Sequence, residues 1–174
     1  MDIGIQVEVD LPKVIKRKVR HGTANFLKEP AMTRAEAVQA IEVGIEIANQ
    51  AIDEGYDLLG TGEIGIGNTT ASSAVLYGFT EAHIDRVVGR GAGLTDEAFA
   101  RKKQVVKQAV ELHRPNPKDA LDVLSKVGSL DIAGMTGLYL ACAARRVPVV
   151  TDGLISNVAA LTAMRLKPES VQYM

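Results

Sequence analysis

The order of elements predicts an α/β fold with a mainly parallel sheet and helices on both of its faces. Three observations carry that prediction. Helical and strand-like segments alternate along residues 33–166, and polar or glycine-rich turns follow the strand-like runs. The core has to be aliphatic, because hydrophobic residues make up 47% of the chain and aromatics only 4%. No repeat, low-complexity linker or composition break divides the chain, so residues 1–174 read as one domain.

Met1 to Val9 alternates loosely with β-branched residues and reads as a strand or a docked arm. Lys13, Lys16, Arg17, Lys18 and Arg20 form a basic stretch, read first as a solvated surface and second as a phosphate-attracting patch. His21 to Phe26 is irregular. Thr33-Arg34-Ala35-Glu36 is a capping box. The helix it opens places Val38, Ile41, Ile45, Ala48 and Ile52 on one face and stops at Gly55. Tyr56 to Leu59 then reads as a short buried strand.

Gly60-Thr61-Gly62-Glu63-Ile64-Gly65-Ile66-Gly67-Asn68-Thr69-Thr70 follows, with four glycines in eight residues and one carboxylate among them. Asn68 or Thr69 is a suitable N-cap for the helix after it. Strand, glycine loop and helix start form a common anion site, because glycine permits close backbone approach and the first-turn amides point outward. A second cluster, Gly89-Arg90-Gly91-Ala92-Gly93, precedes a helix capped by Thr95 with Asp96 and Glu97 in its first turn. Lys102 and Lys103 lie within that helix; one of them reads equally as an apolar stem with a solvated tip or as an ammonium reaching a phosphate at the adjacent glycine loop.

Asn116-Pro117-Lys118-Asp119 is read as a helix start with Pro117 in its first turn. Asp131 is read as opening a helix through Arg146, where Gly134, Gly137 and Ala141 permit close approach of another element. Val147 to Val150 is a strand and Thr151-Asp152-Gly153 the turn at its carboxyl end. A last helix runs from Leu154 to Leu166, and Val171 to Met174 reads as the start of another strand. In such sheets ligands sit outside the carboxyl ends of the strands, which brings Glu63 and Asp152 toward one cleft.

The bulk numbers exclude several classes. A net charge of −1 argues against a general nucleic-acid binder. No apolar run approaches a membrane span of about 20 residues, and the N-terminus has no signal-peptide pattern. A single cysteine, Cys142, allows no internal disulfide, which points to the cytoplasm. His21, His83 and His113 are scattered, and no His/Cys grouping has metal-ligand spacing, so no metal and no cofactor are expected. Gly60 to Gly65 fits G-x-G-x-x-G, with Glu81 lying 21 residues after Gly60. The fit to a dinucleotide fold is poor, because the helix signal starts at Asn68 and Glu81 does not end a strand. What remains is a phosphate cradle beside carboxylates.

Gly62-Glu63-Ile64-Gly65-Ile66-Gly67-Asn68-Thr69-Thr70 closely resembles the signature of the nicotinate-nucleotide–dimethylbenzimidazole phosphoribosyltransferases. Asn25-Phe26-Leu27 with Glu29 to Thr33, Val88 to Leu94, Asp131 to Met135 and Pro148 to Gly153 resemble further blocks of that family in the same order. The resemblance covers essentially the whole chain. It implies a Rossmann-like core, a homodimer, and transfer of phosphoribose from nicotinate mononucleotide to dimethylbenzimidazole. It also implies site roles. Glu63 would be the catalytic carboxylate near the reacting base or ribose. Gly62, Gly65, Gly67, Asn68 and Thr69 would lie along the nucleotide. Gly91, Gly93 and Lys102 or Lys103 would hold the phosphate, and Asp131, Asp152 and Gly153 would line the cleft.

The matched blocks correspond to the middle of the family's chain. An N-terminal portion that helps form the benzimidazole pocket, and a C-terminal portion with a Gly-Glu-Gly-type base motif, are expected outside these residues. On that expectation the 174 residues alone bind the mononucleotide weakly and turn over little or nothing. Sheet edge and apolar helix faces exposed by their absence are expected to be covered by dimerisation or by a rearranged sheet. A non-catalytic nucleotide-binding or assembly module and an NAD-dependent oxidoreductase are the competing readings.

Overall fold

The structure, a computed structural model, describes residues 1–80 and 82–174. Glu81, on which the dinucleotide reading depends, lies outside them. Two strands, β1 (Leu59–Gly60) and β2 (Val149–Val150), pair in parallel with Leu59 opposite Val149 and Gly60 opposite Val150. The α/β class and the parallel pairing agree with the sequence. The sheet is far smaller than the strand-like runs predict, and helices form most of the described chain. Tyr56 and Leu58, expected in a buried strand, are 59% and 56% exposed; only Leu59 and Gly60 pair.

Helix α1 (Arg34–Asp53) starts as expected: the Thr33 hydroxyl accepts from the Glu36 amide at 3.1 Å, and the Glu36 carboxylate accepts from the Thr33 amide at 2.7 Å. Its most buried face is Ala37, Ala40, Ile41, Gly44 and Ala48, which includes Ile41 and Ala48 of the expected face but leaves Val38, Ile45 and Ile52 only half-buried. The cause is α6 (Leu130–Arg145), which crosses α1 at van der Waals contact of the two backbones. A Cβ on Gly44 would lie 1.8 Å from the Gly134 carbonyl oxygen, and one on Gly137 would lie 1.9 Å from that of Ile41. Only glycine fits at such a crossing, so Val38 and Ile45 move to its flanks.

Helix α2 (Asn68–Thr80) is buried on most sides and packs against α4 (Asp96–His113), α5 (Ala120–Val127) and α7 (Leu154–Leu166). A single turn, α3 (Ile84–Val87), connects α2 to the second glycine loop. Helix α5 begins later than expected. Asp119 Oδ1 accepts from the Leu121 and Asp122 amides, both at 3.1 Å, so Asp119 is the cap; Asn116 and Pro117 belong to the preceding turn.

The C-terminal strand expected at Val171–Met174 is a 3-10 helix, Pro168–Tyr173. Pro168, in its first turn, has the φ that a helix needs and lacks the amide a strand would use. The N-terminus is a docked arm with one bridge, Asp2 to Lys16. Asp2 is 2% exposed, pairs with Lys18 at 3.0 Å and accepts from the Ile5 amide at 2.9 Å. Four of the five basic residues of this stretch pair with carboxylates: Lys16 with Asp10, Arg17 with Glu46, Lys18 with Asp2 and Arg20 with Glu36. It is a paired surface and lies outside the site below.

Candidate functional site

The parallel pair sends two chain segments out at the same end, Thr61 after β1 and Thr151-Asp152 after β2. Tyr139 of α6, fully buried, supports them: its hydroxyl and the Thr61 hydroxyl are 2.7 Å apart. Burial pushes the Tyr139 hydroxyl pKa up, more than its hydrogen bonds to Thr61 and Ser156 lower it. Ser156 accepts from the Asp152 amide at 2.8 Å, and Asn157 donates to the Asp152 and Gly153 carbonyls at 2.9 and 2.8 Å. The turn after β2 is thereby fixed, with the Asp152 residue exposed.

The first glycine loop turns into α2 at Gly67, whose φ of +81° suits glycine. The Thr70 and Ala71 amides bond back to the Gly67 carbonyl, so Asn68 is the first residue of the helix and not its cap. Its side chain does something else. Asn68 Nδ2 donates to Glu63 Oε2 and also to Asp131 Oδ2, the latter at 2.8 Å. Asp131 is not the cap of α6 either: Ser129 holds that position, and Asp131 lies in the first turn. Its Oδ1 accepts from the Ile132 amide at 3.0 Å and from the Ser129 hydroxyl. Gly65 closes over this group; a Cβ there would lie 2.7 Å from Asn68 Nδ2 and 2.8 Å from Asp131 Oδ2. Between Glu63 and Gly67 the loop holds Ile64 and Ile66 fully in solvent.

The second glycine loop meets the first. Gly91 has φ +62°, and a Cβ on it would lie 3.0 Å from the Thr69 hydroxyl and 3.5 Å from Lys102 Nζ. Lys102 donates to Thr69 Oγ1 at 3.0 Å and to the Gly89 carbonyl at 2.9 Å. It is 6% exposed, and burial holds its pKa below the ordinary 10.5. No carboxylate among the described residues pairs with it. Lys103 goes elsewhere: it pairs with Asp85 at 2.5 Å and lies 4.3 Å from the centre of the Phe99 ring. The choice between the two lysines left open by the sequence therefore falls on Lys102. Arg90 is occupied by Asp96, the Leu94 carbonyl at 2.9 Å and the other contact to Phe99.

Two groups thus share adjacent residues of α2. Glu63, Asn68 and Asp131 form one; Thr69, Gly91 and Lys102 form the other. Asp152 and Gly153 stand by the Thr61–Tyr139 pair, and among the described residues no hydrogen bond joins them to the other two groups. Around Gly62, Gly67, Gly93 and Gly153 there is open space. Sequence reasoning missed Ser129, Thr61 and Tyr139. A tyrosine inside the Gly- and Ala-rich helix of residues 130–145 was the available signal for the last. Cys142, with its thiol pushed up to about 11 by burial, is an inert core residue. Among the described residues no group of His, Cys, Asp and Glu is disposed to hold a metal, and no helix is long and apolar enough to cross a membrane.

A family model described as Phosphoribosyltransferase (DBI_PRT) matches residues 1–174. The chain is similar to the nicotinate-nucleotide–dimethylbenzimidazole phosphoribosyltransferase of Chloroflexus aggregans, 54% identical over all of this chain and 50% of that protein. It is 52% identical to that of Clostridium tetani, over 95% of this chain and 46% of the relative. CobT from Thermus thermophilus superposes with a TM-score of 0.93 at 39% identity, over 99% of this chain and 52% of that one. The chain spans about half the length of the relatives it matches. With a match along its full length, the chain belongs to the DBI_PRT phosphoribosyltransferase family.

Proposed function

We propose that this chain supplies the nucleotide-binding core for phosphoribosyl transfer from nicotinate mononucleotide to dimethylbenzimidazole. The product is α-ribazole 5′-phosphate, the nucleotide of the cobalamin lower ligand, and nicotinate is released. One observation carries the reading: two glycine loops converge on a buried ammonium that has no carboxylate partner among the described residues, one residue along α2 from two carboxylates that have no cation among them. A mononucleotide with an anionic phosphate and a cationic pyridinium matches that polarity.

Lys102, Thr69 and the backbone at Gly91 take the phosphate. Gly62, Gly67 and Gly93 give the backbone room to approach it, Gly65 packs against Asn68 and Asp131 beside the nucleotide, and Asp152 and Gly153 border the cleft at the strand ends. Glu63 and Asp131 face the ribose–pyridinium bond. The benzimidazole nitrogen attacks C1′ from the opposite face, the C1′–N bond breaks with its electron pair going to the pyridine nitrogen, and the ring leaves neutral. Positive charge grows at C1′ in between, and the carboxylates lower its energy. The acceptor's second nitrogen gives up its proton to a carboxylate base, for which Glu63 is the candidate in these residues.

Residues 1–174 act as one α/β unit within a larger phosphoribosyltransferase, in a cytoplasmic homodimer that binds no nucleic acid. Exposed Ile64, Ile66 and Val150 at the site end support self-association. Calorimetry with nicotinate mononucleotide, NAD and dimethylbenzimidazole tests the substrate class, and chromatography for α-ribazole 5′-phosphate tests the reaction. Mononucleotide binding tighter than NAD binding is expected; the reverse order overturns the proposal.

A further inference from the structure

We infer that Asn68 is a positioning residue, and that it makes the carboxylate pair selective for a cationic ring over a neutral or absent one. The inference rests on the functional reading above. Asn68 is 7% exposed, and a single nitrogen, Nδ2, serves both Glu63 and Asp131. A primary amide has two N–H bonds on that nitrogen, one for each carboxylate. Both oxygens lie within hydrogen-bond reach of one atom, so the carboxylates stand within about 6 Å of each other. Left alone they would repel and swing apart into solvent.

The amide holds them together without neutralising them. A lysine in its place would also bridge the pair, but it would cancel one of the two charges. No Lys, Arg or His among the described residues pairs with Glu63 or Asp131. Asp131 is anchored further by Ser129 and the Ile132 amide, whereas among the described residues Asn68 is the one side chain that holds Glu63. The Asn68 amide therefore sets where the loop carboxylate points. Gly65, packed against the amide and Asp131, keeps the clamp closed. On this inference Asn68 acts through Glu63 and Asp131 rather than by touching the substrate.

Calorimetry separates the role from a general structural one, because two ligands share the phosphate end and differ at the other. Ribose 5-phosphate engages the Lys102 group alone. Nicotinate mononucleotide adds the pyridinium. In Asn68→Ala and Asn68→Ser, ribose 5-phosphate affinity stays within about twofold of wild type, while mononucleotide affinity falls about tenfold or more, the size of a lost hydrogen bond to a charged group. Asn68→Asp loses at least as much, by adding a third carboxylate. Melting temperatures serve as the fold control. Equal loss of both ligands overturns the inference alone. A wild-type chain that binds neither ligand overturns the functional reading, and this inference with it.

Discussion

Replacing Lys102 by methionine separates a ligand-binding lysine from a structural one, because the two roles predict opposite results. The ammonium is 6% exposed and has two partners, the Thr69 hydroxyl at 3.0 Å and the Gly89 carbonyl at 2.9 Å. Desolvating an ammonium costs several kcal/mol, and two hydrogen bonds from a charged donor return about 1.5–3 kcal/mol each. The balance is near zero. Methionine fills a similar volume and removes both the cost and the gain, so stability changes by about 1 kcal/mol or less in either direction. Phosphate affinity does not share that cancellation. Losing the charge-assisted contact costs about 1.5–3 kcal/mol, or about 10- to 150-fold in Kd. Ribose 5-phosphate titrated into Lys102→Met, beside a urea melt, reads both quantities. A pH series adds a sign. Burial lowers the Lys102 pKa from 10.5. Wild-type phosphate affinity therefore falls as pH rises through that lowered value, before 10.5 is reached, and Lys102→Met shows no such fall. The burial cost also fades over this window, so wild-type stability gains on the variant there. A variant that loses about 3 kcal/mol or more of stability and still binds ribose 5-phosphate normally would refute the argument.

Gly137→Ala forces a Cβ to within 1.9 Å of the Ile41 carbonyl oxygen, and α1 and α6 have to separate; denaturant melts should show a loss of about 1–3 kcal/mol or more. Asp2→Asn removes the buried partner of Lys18 and should cost about 3–5 kcal/mol by the same melts. Burial raises the Asp2 carboxyl pKa, but the Ile5 amide and Lys18 outweigh it and leave the group below the ordinary 3.8. Its contribution is thus fully present above 3.8 and disappears as pH falls through the lower folded value, a dependence that Asp2→Asn abolishes. Gly65→Ala, with its Cβ 2.7 Å from Asn68 Nδ2, should weaken mononucleotide binding more than ribose 5-phosphate binding in calorimetry. Lys103→Ala, whose partners are Asp85 and Phe99, should leave both affinities unchanged and stability within about 1 kcal/mol.

Helix starts were legible at α1 and α4, whereas the Asp119 cap of α5 was misplaced into the turn before it. Thr33, Glu36 and Thr95 behave as their spacing requires, because those bonds are local and need no tertiary partner. Asn68 was misread for the same reason: a cap is the commonest local use of asparagine before a helix. The two carboxylates that claim it are 5 residues before and 63 residues after it, and only the fold brings them together. Adjacent lysines differ by about 100° around a helix axis, so choosing Lys102 over Lys103 needed to know which face meets the loops. Strand-like composition misled at Tyr56–Leu58 and Val171–Met174, since β-branched and aromatic residues report fit to a half-buried surface and not pairing itself.

Helix α6 bears on three things at once. Gly137 meets α1, Tyr139 supports the exit of β1, and Asp131 stands in the first turn beside Glu63. A rigid rod that touches several neighbours transmits any shift along its length. Substitutions on the α1 side of this rod therefore reach the carboxylate end about two turns away without touching a ligand. Random mutagenesis scored by mononucleotide binding should accordingly find sensitive positions at the α1–α6 crossing, far from the cleft, where surface probes would record an unaltered fold.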